Sequence, residues 1–269
     1  MNRGWIWAAA GVAAAFLVTS TMDATGFSAF SSLPLLPLLG LFAYIQRFSL
    51  REMGFAWGGP RVLRQYALAV LHPIIVIGAL TAVAAMTGAL DPAAAAHGKH
   101  PPWLNFLLLA GTTIPVALLT EEGFFRGWLW AALHRCGQGK LAIVVLTSAA
   151  FALWHWSSVV LPTGFNPAPA QVPIFMLNAF VLGAIWAMLR LLSGSLVVAS
   201  VGHGVWNGLA YVLFGFGAHA GALGITNTAL YGPEIGMLGL ILNATFAAAL
   251  WFLGRFDRPV ASAELQFLS

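Results

Sequence analysis

The stretch that decides the fold spans residues 66–88 and reads YALAVLHPIIVIGALTAVAAMTG. It contains no Asp, Glu, Lys or Arg. A helix of roughly 20 apolar residues is long enough to cross the hydrocarbon core of a bilayer. Inside lipid every backbone polar group needs a partner within the protein, which makes the helix the default spanning structure. The stretch therefore predicts a transmembrane helix.

The composition of the whole chain agrees with this prediction. The chain has 269 residues, of which 60% are hydrophobic and 7% charged, and its mean hydropathy is +0.86. A soluble domain carries roughly 25% charged residues, so these charges are too few to cover a surface that faces water. The net charge of +4 rests on few residues and does not indicate nucleic-acid binding. We expect one membrane domain over residues 1–269, without an internal disulfide because Cys136 is the single cysteine.

The remaining apolar stretches predict an all-α, polytopic protein with about eight transmembrane helices. The first resembles a signal peptide, but further spans follow it, so a retained helix is favoured. The second is short and contains Pro34 and Pro37, which suggests a tilted, broken or re-entrant segment. The fourth is too long for a simple crossing. The predicted spans are 5–22, 33–48, 66–88, 104–133, 141–160, 173–192, 195–216 and 235–254.

The positions of the basic residues predict the orientation. With eight crossings, the loops alternate between two sides of the membrane. Apart from Arg126, which belongs to a motif, ten of the Lys and Arg residues fall on the side of the N-terminus, and Lys99 alone falls on the other. Short cytoplasmic loops carry the excess of Lys and Arg. We therefore expect cytoplasmic N- and C-termini and, with short loops and an Ala-rich chain, a bacterial inner membrane.

Ionisable groups inside the fourth predicted span identify a candidate site. This span contains Glu121, Glu122 and Arg126. Ionisable side chains in a span are costly and are functional candidates by default. Glu122 and Arg126 stand at i and i+4 and can pair along one helix face. Glu121 lies about 100° around the helix, so one carboxylate would be structural and the other free for chemistry.

Two further spans carry polar residues. His155 lies in the fifth predicted span, and His203 and Asn207 stand at i and i+4 in the seventh. Singly, each is explained as well or better by helix packing. Each polar or charged group adds its own free-energy cost of insertion into the membrane. Three helices that each carry such groups therefore favour a functional site.

These residue types suit metal-free amide hydrolysis. A Glu and a His within reach of one water can share its deprotonation. An Asn amide and a His N–H can stabilise the oxyanion that follows. The alternative is zinc bound by Glu121, His155 and His203 with water as the fourth ligand. No His-Glu-x-x-His signature is present, and nothing demands a metal, so we predict no cofactor and keep zinc as the alternative.

The motifs resemble those of the CPBP membrane proteases, the CAAX prenyl endopeptidase and bacteriocin-processing family. The hallmarks are Glu-Glu-x-x-x-Arg, Phe-x-x-x-His and His-x-x-x-Asn on successive helices. Here they begin at Glu121, Phe151 and His203. Residues 104–216 form the family-like core, and about 110–210 match well.

The resemblance implies roles and a shape for the site. Glu121 and His155 would activate water, and His203 and Asn207 would hold the oxyanion. Glu122 and Arg126 would support them. The resemblance also implies a cavity that opens to the cytoplasmic side and the bilayer.

The function predicted from the sequence is that of a CAAX-protease-like intramembrane glutamic endopeptidase. Its partners would be membrane lipid and a peptide or lipid-modified protein, cleaved at a peptide bond within the membrane. The alternative is a non-catalytic immunity or binding protein that keeps the polar cluster for folding. A proton-coupled transporter is disfavoured because no pseudo-symmetric halves are visible.

Overall fold

The computed structural model describes residues 3–95 and 100–256, and this part of the chain is mostly helical. Its helices differ in length because the loops, rich in Gly and Pro, interrupt the apolar stretches. Short 3₁₀ turns precede α2, α3 and α8, and a small hairpin (β1, Gly215–Phe216; β2, His219–Ala220) follows α9. The helices are α1 Arg3–Ala24, α2 Leu35–Gln46, α3 Leu63–Met86, α4 Pro102–Leu119, α5 Trp130–Arg135, α6 Lys140–Trp154, α7 Trp156–Val160, α8 Val172–Ser193, α9 Leu196–Phe214, α10 Thr228–Tyr231 and α11 Met237–Phe256.

Seven helical segments of the described chain are long and apolar enough to cross a membrane. They correspond to seven of the eight predicted spans. The other, α2, has 12 residues, and at 1.5 Å per residue this is about 18 Å, short of a hydrocarbon core of about 30 Å. The all-α polytopic architecture is confirmed, while the number of crossings and the side of the termini stay predictions.

Two of the predicted spans are interrupted at candidate site residues. The fourth consists of α4, a π-helical segment over Glu122–Leu129, and α5. The break falls at Thr120, whose φ of −110° and ψ of −93° are not helical. The fifth is split into α6 and α7 by His155. Insertions of a π turn often mark functional sites, and here the π segment carries Glu122 and Arg126.

Contacts between loops divide the molecule into two faces. The α2–α3 loop meets the end of α5, where Arg135 donates to the Gln46 carbonyl (2.6 Å) and to Glu52 (2.8 Å). It also meets the start of α9, where the Leu196 N–H donates to the Gly54 carbonyl at 2.9 Å. We call the face formed by the α2–α3, α5–α6 and α8–α9 connections the basic face, because Arg47, Arg51, Arg61, Arg64, Arg135, Lys140 and Arg190 lie in or beside them.

The other connections form the opposite face. Ser28, between α1 and α2, donates to the Thr163 carbonyl between α7 and α8 at 3.1 Å. Phe165 stacks on Phe216 of β1 with ring centroids 4.8 Å apart. α1 begins and α11 ends toward the basic face. Lys99 and Arg258, which the charge argument also used, lie outside the described residues.

Helix α9 lies at the centre of the bundle and packs most closely on α4 and α3. Two glycines on α9 allow the approach to α4. A Cβ at Gly208 would lie 2.9 Å from Phe106, and one at Gly204 would collide with Ile114. Small residues four apart are a common device for close helix packing in membranes. His203 and Asn207 lie on the adjacent ridge of α9, so the same packing brings them near the π segment.

Candidate active site

The four predicted catalytic side chains line one cavity. Glu121, His155, His203 and Asn207 come from three helical regions and face a space of about 450 Å³. The cavity is partly aromatic, with Phe151 among its walls. The sequence motifs therefore converge in space. Glu122 and Arg126 do not line the cavity and lie behind it.

The Glu122 and Arg126 side chains form a buried ion pair that also holds His203. Both are 0% exposed, and Arg126 Nη1 lies 3.2 Å from Glu122 Oε1. The same carboxylate oxygen lies 3.0 Å from Nδ1 of His203. A carboxylate oxygen accepts hydrogen bonds, and this one already accepts from Arg126, so His203 donates through Nδ1. The pair predicted from the i, i+4 spacing is present, and it fixes the orientation of the His203 ring.

Arg126 is held from several directions. Its Nη2 donates to the Gly183 carbonyl at 3.1 Å, and its guanidinium lies 4.1 Å from the Phe151 ring centroid. A Cβ at Gly183 would lie 3.0 Å from Nη2, so the glycine leaves room for this contact. A guanidinium over an aromatic face gains cation–π attraction, which is larger when desolvated.

Glu121 reaches His203 from the cavity side. Its Oε2 lies 3.9 Å from His203 Nε2, and its side chain is 17% exposed. The sequence reasoning left Glu121 without a cationic partner, and the structure places His203 beside it. The ring of His203 therefore lies between two carboxylates. Trp186 stacks on this ring at 4.0 Å between centroids and 9° between planes.

His155 is oriented by its own helix. Its Nδ1 lies 2.9 Å from the Phe151 carbonyl, which can only accept, so Nδ1 carries the proton. In the neutral ring Nε2 is then the acceptor. Phe151, Trp154 and Phe175 surround the imidazole edge-on. Because His155 interrupts the helix between α6 and α7, the chain presents it to the cavity at a fixed angle.

Sequence reasoning missed Glu234, which lies in the turn before α11 and lines the same cavity. Its carboxylate accepts from Trp206 Nε1 at 3.0 Å and from the Tyr211 hydroxyl. Burial raises the pKa of the Glu234 carboxyl above its ordinary value, because burial disfavours the charged form. Glu234 follows the predicted core, and one signal could have found it: an acidic residue is rare in this chain.

A network of amide side chains fixes the turn that carries Glu234. Asn178 donates to the carbonyls of Pro233 (2.7 Å) and Glu234 (3.1 Å). Asn243 donates to Asn178 at 3.0 Å, and His72 bonds Asn243 at 2.9 Å. The His72 ring also stacks on Trp206, with 5.2 Å between centroids. Residues of α3, α8 and α11 thus position Glu234 and its donor together.

Asp23, also missed, lines the cavity near its outer end. It is 1% exposed. Its Oδ2 accepts from Ser157 at 2.6 Å. Beside it, Trp154 Nε1 donates to Thr19 at 2.7 Å. These bonds fasten α1 to α6 and α7, although the family-like core begins far beyond α1.

The zinc alternative required Glu121, His155 and His203 to act as one ligand set. Within residues 3–95 and 100–256, no group of three His, Cys, Asp or Glu side chains could hold a metal ion. Zinc binding stays the alternative to metal-free hydrolysis.

One comparison with known proteins covers the region that contains the candidate site. Residues 102–209 match the family described as Rce1-like, type II CAAX prenyl endopeptidase. No curated protein matches the chain, and no solved structure matches it either. The matched segment contains all six predicted site residues and, with the apolar helices, supports an integral membrane protein and a protease in general. The match thus confirms the resemblance found in the motifs and, over residues 102–209, supports an assignment to the CAAX-type membrane proteases.

Proposed function

We propose that the protein is an intramembrane endopeptidase that hydrolyses a peptide bond in a membrane-embedded or lipid-modified peptide. One observation carries the proposal: Glu121, His155, His203 and Asn207 line a single cavity of about 450 Å³. A cavity of this size can hold a peptide segment together with the attacking water. In bacteria, the predicted location is the inner membrane.

Glu121 and His155 are suited to activate water. The Glu121 carboxylate is exposed to the cavity, and His155 offers Nε2 as an acceptor because its Nδ1 proton goes to the Phe151 carbonyl. A water between the two would lose its proton to one of them as its oxygen bonds to the carbonyl carbon. The same group then returns the proton to the amide nitrogen as the C–N bond breaks. No other reactant is needed.

His203 and Asn207 are suited to hold the oxyanion. Both lie on α9 and face the cavity, one turn apart. Donation from His203 Nε2 requires a ring that carries both protons, because the Nδ1 proton is committed to Glu122. Fixed donors directed at developing charge contribute to catalysis because they need not reorganise during the reaction.

The test is cleavage of candidate membrane peptides by the purified protein in detergent. Loss of the general base in Glu121→Gln or His155→Ala should lower the turnover by about 10²–10⁴-fold. The control is Glu52→Gln, which alters a half-exposed carboxylate on the basic face, outside the cavity. It should cleave like the wild type.

Two outcomes would contradict the proposal. Equal turnover in the wild type and both site variants would exclude this mechanism. A wild type that cleaves none of the peptides, while folded Glu121→Gln keeps the cellular phenotype, would favour the non-catalytic immunity or binding protein.

A further inference from the structure

The cavity opens at the opposite face. Its outer walls come from the connections of that face: the α1–α2 linker with Ser28 and Ala29, the α7–α8 loop with Thr163, and β1 with Phe216. Ala29 and Phe216 are exposed, Phe216 to 40%. The mouth is therefore formed by residues that follow α1, α7 and α9.

The inner end of the cavity is closed. Trp186 and His203, 2% and 4% exposed, form its floor beside Glu121. The fully buried Glu122 and Arg126 lie behind them. Among the described residues that line the cavity, none belongs to a connection of the basic face. Access from that face would require the ion pair to separate.

The charges indicate which membrane side each face meets. The connections of the basic face carry the Arg and Lys residues named above, whereas the described parts of the opposite-face connections contain none. Short loops rich in Lys and Arg stay in the cytoplasm. The opposite face, with the cavity mouth, is then non-cytoplasmic.

This geometry separates two expectations drawn from the sequence. The charge pattern predicts cytoplasmic termini, and the family resemblance implies a cavity open to the cytoplasm. α1 begins toward the basic face and the mouth lies at the other, so one orientation cannot satisfy both. The charge pattern is a property of this chain, and we give it precedence.

We propose that the cavity takes its substrate from the non-cytoplasmic side of the membrane. The substrate class is then a peptide segment exposed at, or inserted from, the outer leaflet, such as part of a translocated or exported chain. That the cavity binds a substrate rests on the proposed function. The side of the membrane on which the mouth opens does not depend on catalysis.

Cysteine labelling in intact cells tests the side of the mouth. In a Cys136→Ser background, Ala29→Cys places a thiol at the mouth and Ala56→Cys places a matched thiol in the exposed α2–α3 loop of the basic face. A membrane-impermeant maleimide should label Ala29→Cys almost as fully in intact as in permeabilised cells. It should label Ala56→Cys after permeabilisation alone. Ala170→Cys, exposed in the 3₁₀ turn before α8, serves as a second opposite-face thiol if Ala29→Cys does not fold.

The opposite labelling pattern would overturn the proposal and place the mouth in the cytoplasm. Equal labelling of both thiols in intact cells, or labelling of neither, would overturn it as well. A separate measurement connects the mouth to hydrolysis. A bulky maleimide on purified Ala29→Cys should remove most of the peptide cleavage, while the same reagent on Ala56→Cys should not. If the wild type cleaves nothing, the proposed function fails while the labelling result still decides the side of the mouth.

Discussion

The Arg126 guanidinium shows how a single charged residue is accommodated at the centre of the bundle. It is fully buried and contacts the Glu122 carboxylate, the Gly183 carbonyl and the face of Phe151. Removing one partner of a buried ion pair leaves the other charge without compensation. Arg126 therefore stabilises the region that carries the site without reaching the cavity itself.

Replacing Arg126 by Met should destabilise the protein by about 3–5 kcal/mol, because the Glu122 charge would stay buried alone. Adding Glu122→Gln should restore part of this loss. The measurement is the free energy of unfolding in mixed micelles, followed by tryptophan fluorescence. The control is Arg135→Met, whose pair with Glu52 is nearly half exposed and whose loss should change the stability by about 0–1 kcal/mol. Equal effects of the two single substitutions would contradict the role given to Arg126.

Sequence spacing predicts contacts within one helix and fails for contacts between distant segments. The Glu122–Arg126 pair follows from an interval of four residues. Glu234 and Trp206 are 28 residues apart and Asp23 and Ser157 are 134 apart, and no periodicity connects them. Their partnership depends on how the helices pack. The catalytic roles of the cavity residues stay predictions that the kinetic variants test.

At the scale of elements, the site depends on the close contact between α4 and α9. Gly204 and Gly208 lie against α4, while His203 and Asn207 occupy the neighbouring ridge of α9. A side chain at either glycine would push α9 away from α4, which leads into the π segment. The His203–Glu122 hydrogen bond of 3.0 Å could not then form.

Gly204→Val should therefore abolish cleavage and lower the thermal stability, because its side chain would collide with Ile114. The matched control is Gly111→Val on α4, where an added Cβ would meet nothing within 4 Å. This control should cleave peptide normally. Melting temperatures in detergent and peptide turnover measure the two effects. Normal turnover in Gly204→Val would show that the site tolerates a wider separation of the helices.

The existence of the helices is predictable from apolar length, and their interruptions are not. Apolar residues predominate on both sides of Thr120 and His155, so the hydropathy of the sequence indicates one uninterrupted helix at each place. The interruption at His155 depends on a local contact instead: α6 ends where the His155 ring bonds the Phe151 carbonyl. The end of α2 is not predictable either. The helix is predicted over 33–48, but it ends at Gln46, because Arg47 adopts a left-handed conformation with φ of 54°.

At the scale of the whole molecule, the division into a basic and an opposite face predicts how the protein is oriented in the membrane. The alternation of connections rich and poor in Lys and Arg follows from the sequence, because it needs the order of spans alone. The position of the cavity mouth cannot be predicted from the sequence, since it depends on which loops surround the cavity. Outward-facing side chains such as Leu71, Ile74 and Ile75 are 44–52% exposed, and they suit an environment of lipid.

Replacing the arginines in and beside the α2–α3 connection should weaken the preference for one orientation in the membrane. With Gln at Arg47, Arg51, Arg61 and Arg64, we expect a mixed population, because part of the cytoplasmic retention signal is lost. The measurement is maleimide labelling of Ala56→Cys in intact cells, which should rise above the level of the parent. Lysine at the same four positions should leave the labelling unchanged. No rise in the glutamine variant would mean that other parts of the chain set the orientation.

The closed inner end of the cavity has a consequence for the cell that contains the protein. Trp186 and His203 form the floor of the cavity, and the fully buried Glu122 and Arg126 lie behind them. Water for the proposed hydrolysis can enter the cavity from its mouth, while no continuous chain of water molecules connects the two sides of the membrane. A bilayer that holds this protein would therefore remain an electrical insulator, and the proposed cleavage would leave the proton gradient intact.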